Sequence, residues 1–321
     1  MEHEQHNERV STQSPVSVVQ QYAVPIAIVV AGFMIAVSYY QVQTGGRYAV
    51  RSTPQSTIST QLEESVIPST GVELSVTWGD LGKRMVEAGA IDAYKMAALY
   101  QDRGGFPAEY RKLLEQGGNG KLMMTRENAP YLLNLLWALG LANKNPILED
   151  KTEMMNPGYG GAGNFASTGG WTLAMGDAME HYNMHSLVPL TATQQKLVDD
   201  VSRNIYRPCC GNSTHFPDCN HGMAMLGLLE LMASQGVSEK DMYKAALAVN
   251  SYWFPDTYLT IAMYMQQKSV AWDKVSPKEM LGADYSSSAG FQNISSQVNV
   301  PSGQGGDGGC GVDAGAPVQV W

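Results

Sequence analysis

An uncharged stretch near the start of the chain constrains its fold more than any other feature. Residues 22–40 read YAVPIAIVVAGFMIAVSYY, close to the roughly 20 residues that a helix needs to cross a bilayer. Tyr22, Tyr39 and Tyr40 lie at its two ends, where amphipathic rings favour the membrane interface. A cleaved signal peptide would have a shorter apolar core followed by a small-residue cleavage site, which the sequence does not show. We therefore predict an uncleaved transmembrane anchor over 22–40, behind a polar tail over 1–21.

The residues that flank this anchor give two conflicting indications of its sidedness. Arg47 and Arg51 follow the anchor and the tail before it is acidic, which by the positive-inside rule favours a cytoplasmic body. The segment also resembles the short N-terminal anchors of exported proteins from candidate-phylum bacteria. Together with the cysteine usage, that resemblance implies an extracytoplasmic body. We expect a single-pass protein of the cell membrane with its body outside the cytoplasm.

The charge balance limits the partners that the protein can have. The 321 residues carry a net charge of −9, and no basic stretch is available to neutralise phosphates. We therefore expect no nucleic-acid partner. Hydrophobic residues make up 44% of the chain, which is enough for a sizeable core in one or two domains.

The body of the chain shows helical periodicity, with apolar residues at intervals of three and four. Gly89 divides the first periodic segment into two short helices, and Asp92 is a plausible N-cap for the second. No segment shows sustained strand alternation. The sequence therefore predicts a mainly α fold, with helices within the segments 80–101, 107–115, 127–141, 191–205, 221–235, 238–250 and 255–267 and a short helical turn over 276–282.

Composition defines the remaining parts of the chain. Residues 41–75 are rich in Ser, Thr and Gln, which predicts a flexible linker behind the anchor. A compact multi-helix domain should follow over 76–283. Residues 284–321 are rich in Gly and Ser and predict a disordered tail, which carries Cys310.

The segment between the helices at 127–141 and 191–205 offers two weaker signals. Residues 156–170 are Gly-rich but lack the phosphate-binding pattern G-x-x-x-x-G-K-[ST], so we interpret them as an irregular loop packed on the core. Residues 171–185 could be helical, which would place His181 and His185 on one face. That spacing can chelate a metal ion, whereas solvated histidines are the more common explanation.

A cluster of cysteines and histidines carries most of the functional information. Three of the four cysteines lie in the segment 206–225, YRPCCGNSTHFPDCNHGMAM. Its donors follow the order C-C-x4-H-x3-C-x-H, and thiolate with imidazole suits Zn, Cu(I) or Fe. Pro and Gly residues make the segment a loop that can fold around an ion. The candidate metal ligands are Cys209, Cys210, His215, Cys219 and His221.

Known spacings exclude several kinds of site but leave three interpretations open. The segment has neither paired C-x-x-C motifs of a zinc site nor the C-x-x-C-H of covalent haem attachment. A transition-metal site, of Cu, Zn or Fe, is the interpretation that we favour. A disulfide that joins Cys209 or Cys210 to Cys219 is the second interpretation. Reduced thiols in a redox or transfer role are the third.

The neighbours of Cys219 refine this prediction. Cys219 lies just before an apolar helix that opens at His221, where backbone N–H groups and the helix dipole favour a thiolate. Asp218 could be a hard ligand or the N-cap of that helix, and we favour the cap. Met223 and Met225 could add thioether ligands, but their helical spacing favours core positions.

These residues resemble the motif of the bacterial PCYCGC-motif proteins, which are exported or lipid-anchored. That motif has a Pro-Cys-rich stretch, then His, then Cys, and this order is matched here by Pro208, Cys209, Cys210, Gly211, His215 and Cys219. One cysteine of the family pattern is missing, and its downstream C-x-x-C is absent. More broadly, the body resembles an uncharacterised exported, membrane-anchored family of candidate-phylum bacteria. The resemblance implies metal handling outside the cytoplasm and no known activity.

The sequence predicts a function in metal binding without indicating a reaction. No Ser-His-Asp order, G-x-S-x-G, H-E-x-x-H or nucleotide loop occurs, so whether the protein is an enzyme is left open. We predict a membrane-anchored, extracytoplasmic metal-binding protein in metal handling or electron transfer, with the membrane and a metal ion as its partners. One alternative is a structural Zn or disulfide knot in a helical interaction domain. Another is a thiol oxidoreductase or metalloenzyme with Cys219 as nucleophile and His221 as base.

Overall fold

Helices make up most of the computed structural model, which describes residues 59–298. The prediction of a mainly α fold is therefore confirmed for this part of the chain. The predicted anchor over 22–40 and Cys310 lie outside the described residues. Within residues 59–298, every helix is too short or too polar to cross a bilayer.

Two strands interrupt a series of helices along the described chain. The strands are β1 (Val72–Gly79) and β2 (Asn119–Met124). The helices are α1 (Thr60–Val66), α2 (Leu81–Glu87), α3 (Ala93–Ala98), α4 (Ala108–Glu115), α5 (Ala129–Ala142), α6 (Ala166–Gly169), α7 (Ala192–Ser202), α8 (Asn220–Ser234), α9 (Glu239–Trp253), α10 (Pro255–Gln267), α11 (Pro277–Met280), α12 (Ala283–Ser286) and α13 (Ser288–Ser295).

The helix boundaries follow the capping signals in the sequence. Gly89 adopts a φ of +78° between α2 and α3, and the Asp92 side chain accepts hydrogen bonds from the first turn of α3. Thr191 and Gln194 form a capping box at the start of α7. Ser238 caps α9 by accepting a hydrogen bond from the backbone N–H of Asp241. Apart from the one suggested over 171–185, the predicted helices of the body are therefore confirmed, most of them to within a few residues.

Helices α5 and α8 form the centre of the core and are buried along almost their whole length. They approach closely where Gly140 lies against Gly227. A Cβ atom added to Gly140 would lie 2.0 Å from the Met223 carbonyl oxygen, and one added to Gly227 would lie 2.4 Å from that of Leu136. Only glycine permits this backbone contact at either position. The crossing fixes the start of α8, which carries Cys219 as its N-cap.

The two strands form an antiparallel pair that the sequence analysis missed, although helices α2, α3 and α4 separate them in the chain. Val72 pairs with Met124 and Gly79 with Asn119, with an irregularity in the register between them. Leu74, Val76 and Trp78 of β1 are buried, whereas the residues between them are exposed or half-buried. This is the alternation of a strand with one face on the core. The prediction that no segment has such alternation is wrong.

The ordered structure extends beyond both predicted boundaries of the body. Helix α1 and strand β1 begin inside the predicted flexible linker over 41–75, and they bury Ile67 and Leu74 in the core. Helices α12 and α13 extend into the predicted tail over 284–321, where Ile294 is buried. The boundaries at 76 and 283 are therefore wrong, because polar residues in these segments alternate with a few well-placed apolar ones.

Candidate metal centre

The loop between α7 and α8 carries the predicted ligands, and backbone hydrogen bonds hold it at both ends and in its middle. The N–H of Thr214 donates to the Ile205 carbonyl at 2.7 Å, which closes the loop on itself. The N–H of Ser288, at the start of α13, donates to the Cys210 carbonyl at 2.9 Å. The N–H of Ser167 in α6 donates to the Asp218 carbonyl at 3.1 Å. The loop is thus held by one bond within itself and by bonds to two other segments of the fold, α13 and α6.

Three of the five predicted ligands come together in this loop. The sulfur atoms of Cys209, Cys210 and Cys219 all lie within 4.8 Å of one another, and we call this group the thiol cluster. The Sγ atoms of Cys209 and Cys219 are 3.5 Å apart, and none of the three forms a disulfide. Cys209 is exposed and Cys219 is buried, so the cluster spans the distance from the surface to the core.

A buried arginine, Arg207, donates hydrogen bonds to the thiol cluster and to the loop around it. The Arg207 side chain is 1% exposed, and its Nε–H donates to Cys219 Sγ at 3.1 Å. Its Nη2 donates to an Asp218 carboxylate oxygen at 2.5 Å and to the Phe216 carbonyl at 2.9 Å. Its Nη1 donates to the Asn212 carbonyl at 3.0 Å. A guanidinium with this many fixed acceptors holds the loop in one shape.

Gly222 makes room for this arginine in the first turn of α8. A Cβ atom at this position would lie 2.5 Å from the Arg207 Cζ. The Gly222 N–H also donates to Cys219 Sγ at 3.4 Å, so the sulfur is the N-cap acceptor of the helix. The prediction that Asp218 caps this helix is wrong, because its carboxylate pairs with Arg207 and accepts a hydrogen bond from the Asn212 side chain at 2.7 Å.

The surroundings favour a thiolate at Cys219. Hydrogen bonds from Cys209 and Cys210 and the charge of Arg207 hold the pKa of the Cys219 thiol well below its usual value, although burial opposes them. The hydrogen bond with Cys209 lowers the pKa of Cys210, but the hydrogen bond to Cys219 and burial raise it more, to about 11. The pKa of Cys209 is raised as well, by its hydrogen bonds to the other two thiols and by burial, so these shifts favour one thiolate beside two protonated thiols.

His221 lies in the first turn of α8 but does not join the group of sulfur atoms. Its ring is buried, with its centroid 4.3 Å from that of Phe254 and 5.6 Å from that of Trp253. Its Nδ1 has no hydrogen-bond partner. Burial lowers the pKa of His221 to about 4, so the imidazole is neutral.

His215 lies in a separate polar group, which does not include the cysteines. Its Nδ1 is 2.5 Å from a Glu153 carboxylate oxygen, and its Nε2 is 2.9 Å from one of Asp199. Arg203 contacts Nε2 at 2.7 Å and pairs with Asp199. We call this group the histidine cluster, which consists of Asp150, Glu153, Asp199, Arg203 and His215. The two predicted histidine ligands are thus not brought to the cysteines.

Sequence reasoning missed Arg207 and the pairing of Asp218, although both stand within two residues of a predicted ligand. A cation close to several cysteines was a usable signal, since it stabilises thiolates. Met223 and Met225 are buried in the core, which confirms the structural interpretation of both.

Comparisons with known proteins give no match: no family model fits the chain, and no curated protein or solved structure is similar to it. The resemblance to PCYCGC-motif proteins and to an exported family stays a prediction.

Proposed function

We propose that this chain is a membrane-anchored, extracytoplasmic metal-binding protein whose thiol cluster holds a thiophilic ion such as Cu, Zn or Fe. The observation that carries the proposal is the convergence of three sulfur atoms within 4.8 Å beside a buried guanidinium. Thiolates are the ligands that soft and borderline transition metals prefer. Anchoring in the membrane is proposed from the sequence at 22–40 alone.

The charge of the loop supports a bound cation. Three thiolates around a monovalent or divalent ion leave a net negative charge, which needs compensation where one ligand is buried. Arg207 supplies a fixed positive charge and donates directly to Cys219 Sγ. Such a hydrogen bond orients the ligand and tunes its basicity.

The exposure of the cluster supports metal handling over a purely structural role. Structural zinc sites are closed by four protein ligands, whereas three sulfur atoms leave a position open. Cys209 is exposed and Cys219 is buried, so an ion could be exchanged at the surface through Cys209 while Cys219 stays bound to it. We therefore propose acquisition, delivery or electron transfer as the role of the bound ion.

Metal content in cysteine variants tests this proposal. The full-length chain, purified with detergent and reductant, is loaded with Cu(I) or Zn(II), and bound metal is measured by elemental analysis. We expect Cys219→Ser and Cys210→Ser to lose the tightly bound ion, whereas Cys310→Ser, the matched control, keeps it. We expect His215→Ala to keep it as well. Equal metal content in Cys219→Ser and Cys310→Ser would contradict the proposal.

The same preparation distinguishes the structural alternative. If the ion is a structural knot between α7 and α8, its removal by a chelator should unfold the chain, because such metal binding is coupled to folding. If the ion is cargo, the helical circular dichroism signal should survive the chelator.

A second candidate function is a thiol-based redox role, favoured by the short distance between Cys209 and Cys219. Their Sγ atoms are 3.5 Å apart, close enough for a small movement to allow a disulfide. Alkylation followed by mass spectrometry tests this. A protein isolated without reductant that shows a Cys209–Cys219 disulfide and no metal supports the redox role over the metal site.

A further inference from the structure

Three exposed methionines lie close in sequence to a pair of contacting histidines after the Gly-rich loop. Met175, Met179 and Met184 are 55%, 42% and 57% exposed. Methionine is an apolar side chain that usually fills gaps in cores, and Met223 and Met225 in this chain do so. Three exposed thioethers within ten residues therefore need an explanation other than packing.

The two histidines meet although the segment that carries them is not a helix. Residues 171–185 contain one 3₁₀ turn (Ala178–Glu180), followed by Asn183 at a φ of +58°, so the predicted helix is wrong. The turn nevertheless brings His181 Nδ1 within 3.0 Å of His185 Nε2. The backbone N–H of His185 donates to the Ala142 carbonyl, which fixes this turn to the end of α5.

Hydrogen bonds fix the tautomer of His181 and direct the lone pair of its Nδ1 at His185. His181 Nε2 lies 2.8 Å from the Met175 carbonyl oxygen, which can only accept, so Nε2 carries the proton. Nδ1 is then the unprotonated nitrogen and accepts a hydrogen bond from Nε2–H of His185, so a shared metal ion would take the place of that proton. A backbone carbonyl that fixes the tautomer in this way is the usual outer partner of a metal-binding imidazole.

The spacing of the two nitrogens suits a shared metal ion. With metal–nitrogen distances of about 2.0–2.1 Å, a separation of 3.0 Å corresponds to an angle at the metal of roughly 90–100°. A movement of a few tenths of an ångström would open the angle to the tetrahedral value. Burial, together with the neighbouring His181 and Lys144, lowers the pKa of His185, which keeps its imidazole neutral.

We propose that His181 and His185 form a second metal site, specific for Cu(I), which neighbouring thioethers of Met175, Met179 and Met184 complete at the surface. Thioether sulfur is a soft ligand that selects Cu(I), and imidazole also binds copper. The site does not depend on the thiol cluster, because it shares no residue with it.

Cu(I) binding in a cysteine-free background tests the second site. The full-length variant in which all four cysteines are replaced by serine is titrated with Cu(I) anaerobically against the chelator bicinchoninate. We expect one Cu(I) to bind, and His185→Gln to weaken this binding at least about tenfold. The triple replacement of Met175, Met179 and Met184 by Leu should also weaken Cu(I) binding. The matched control replaces Met123 and Met155, two exposed methionines elsewhere, and should leave it unchanged.

Methionine methyl resonances keep the test valid if the cysteine-free variant does not fold. In the wild-type chain with isotope-labelled methionine methyl groups, added Cu(I) should shift the resonances of Met175, Met179 or Met184 and leave those of Met123 and Met155 in place. Unshifted resonances, or equal Cu(I) affinity with and without His185→Gln, would overturn the second site and reduce the pair to a hydrogen bond. The thiol cluster is judged separately, by the metal lost in Cys219→Ser.

Discussion

The thiol cluster and the histidine cluster lie on the same loop, yet their charges are arranged in opposite ways. In the thiol cluster, one buried cation, Arg207, faces a cysteine thiolate and the carboxylate of Asp218. In the histidine cluster, one imidazole lies between two carboxylates, and an exposed arginine pairs with one of them. Both clusters hold the loop to the body of the protein.

The two clusters differ in how many charged partners their candidate ligand atoms already have. Both nitrogens of His215 contact carboxylates of Glu153 and Asp199, and the ligand atoms of Asp150, Glu153 and His215 lie within 4.8 Å of one another. The sulfur atoms of the thiol cluster keep lone pairs directed at one another, and each further deprotonation adds a negative charge that Arg207 alone cannot offset. In the histidine cluster two carboxylates are thus already paired with His215 and Arg203, whereas the thiol cluster has one cation beside three sulfur atoms.

Removal of Arg207 should have the largest effect on stability. We expect Arg207→Met to destabilise the metal-free protein by about 3–5 kcal/mol, because it leaves a buried thiolate and a carboxylate without their cation. Urea denaturation in the presence of a chelator measures this. The matched control is Arg203→Met, which removes an exposed partner of Asp199 and should cost about 1 kcal/mol or less.

Equal losses of unfolding free energy in Arg207→Met and Arg203→Met would contradict the contrast between the two clusters. They would show that burial of Arg207 does not distinguish it from a surface ion pair.

The histidine cluster should make stability depend on pH. Burial lowers the pKa of His215, but the hydrogen bond and charge of Glu153, with help from Asp199, raise it more, while Arg203 opposes them. The folded pKa is thus above that of the unfolded chain. The contribution to stability is complete below the unfolded pKa of about 6.5 and is lost as pH rises through the folded pKa.

The variant His215→Gln should therefore cost about 1–3 kcal/mol at pH 6 and much less at pH 9. Urea denaturation of both proteins at the two pH values measures the difference. A cost that does not vary with pH would mean that His215 is neutral in the folded protein and acts by packing alone.

Part of this arrangement was predictable from the sequence, and the reasons for the failures are physical. The position of Cys219 at the start of α8 followed from the apolar periodicity and the Pro and Gly residues before it. The distance of His215 from the cysteines did not, because its partner Glu153 comes from a loop 62 residues away. Local spacing shows which donors are near in the chain, but tertiary ion pairs decide which way each side chain turns.

The fold shows the same division between local and tertiary information. Strand β1 was readable, since Leu74, Val76 and Trp78 alternate with polar residues, but the polar composition of the preceding segment obscured it. The crossing of α5 and α8 at Gly140 and Gly227 was not readable, because a glycine inside a helix has no local reason to be there.

The smallest effect that we predict concerns Asn212, which holds Asp218 in place beside the thiol cluster but is not itself a candidate ligand. Asn212→Ala removes one hydrogen bond, from its side chain to Asp218 at 2.7 Å, and leaves the Asn212 carbonyl that accepts from Arg207 in place. We expect metal affinity to fall about tenfold, because Asp218 and Arg207 orient Cys219, with little loss of stability. Competition with a chelator measures the affinity, and Asn204→Ala, which removes a surface hydrogen bond to the Asp200 carbonyl, is the control. If both variants bind metal equally well, Arg207 holds Cys219 without help from the loop, and the thiol cluster needs fewer supports than its geometry indicates.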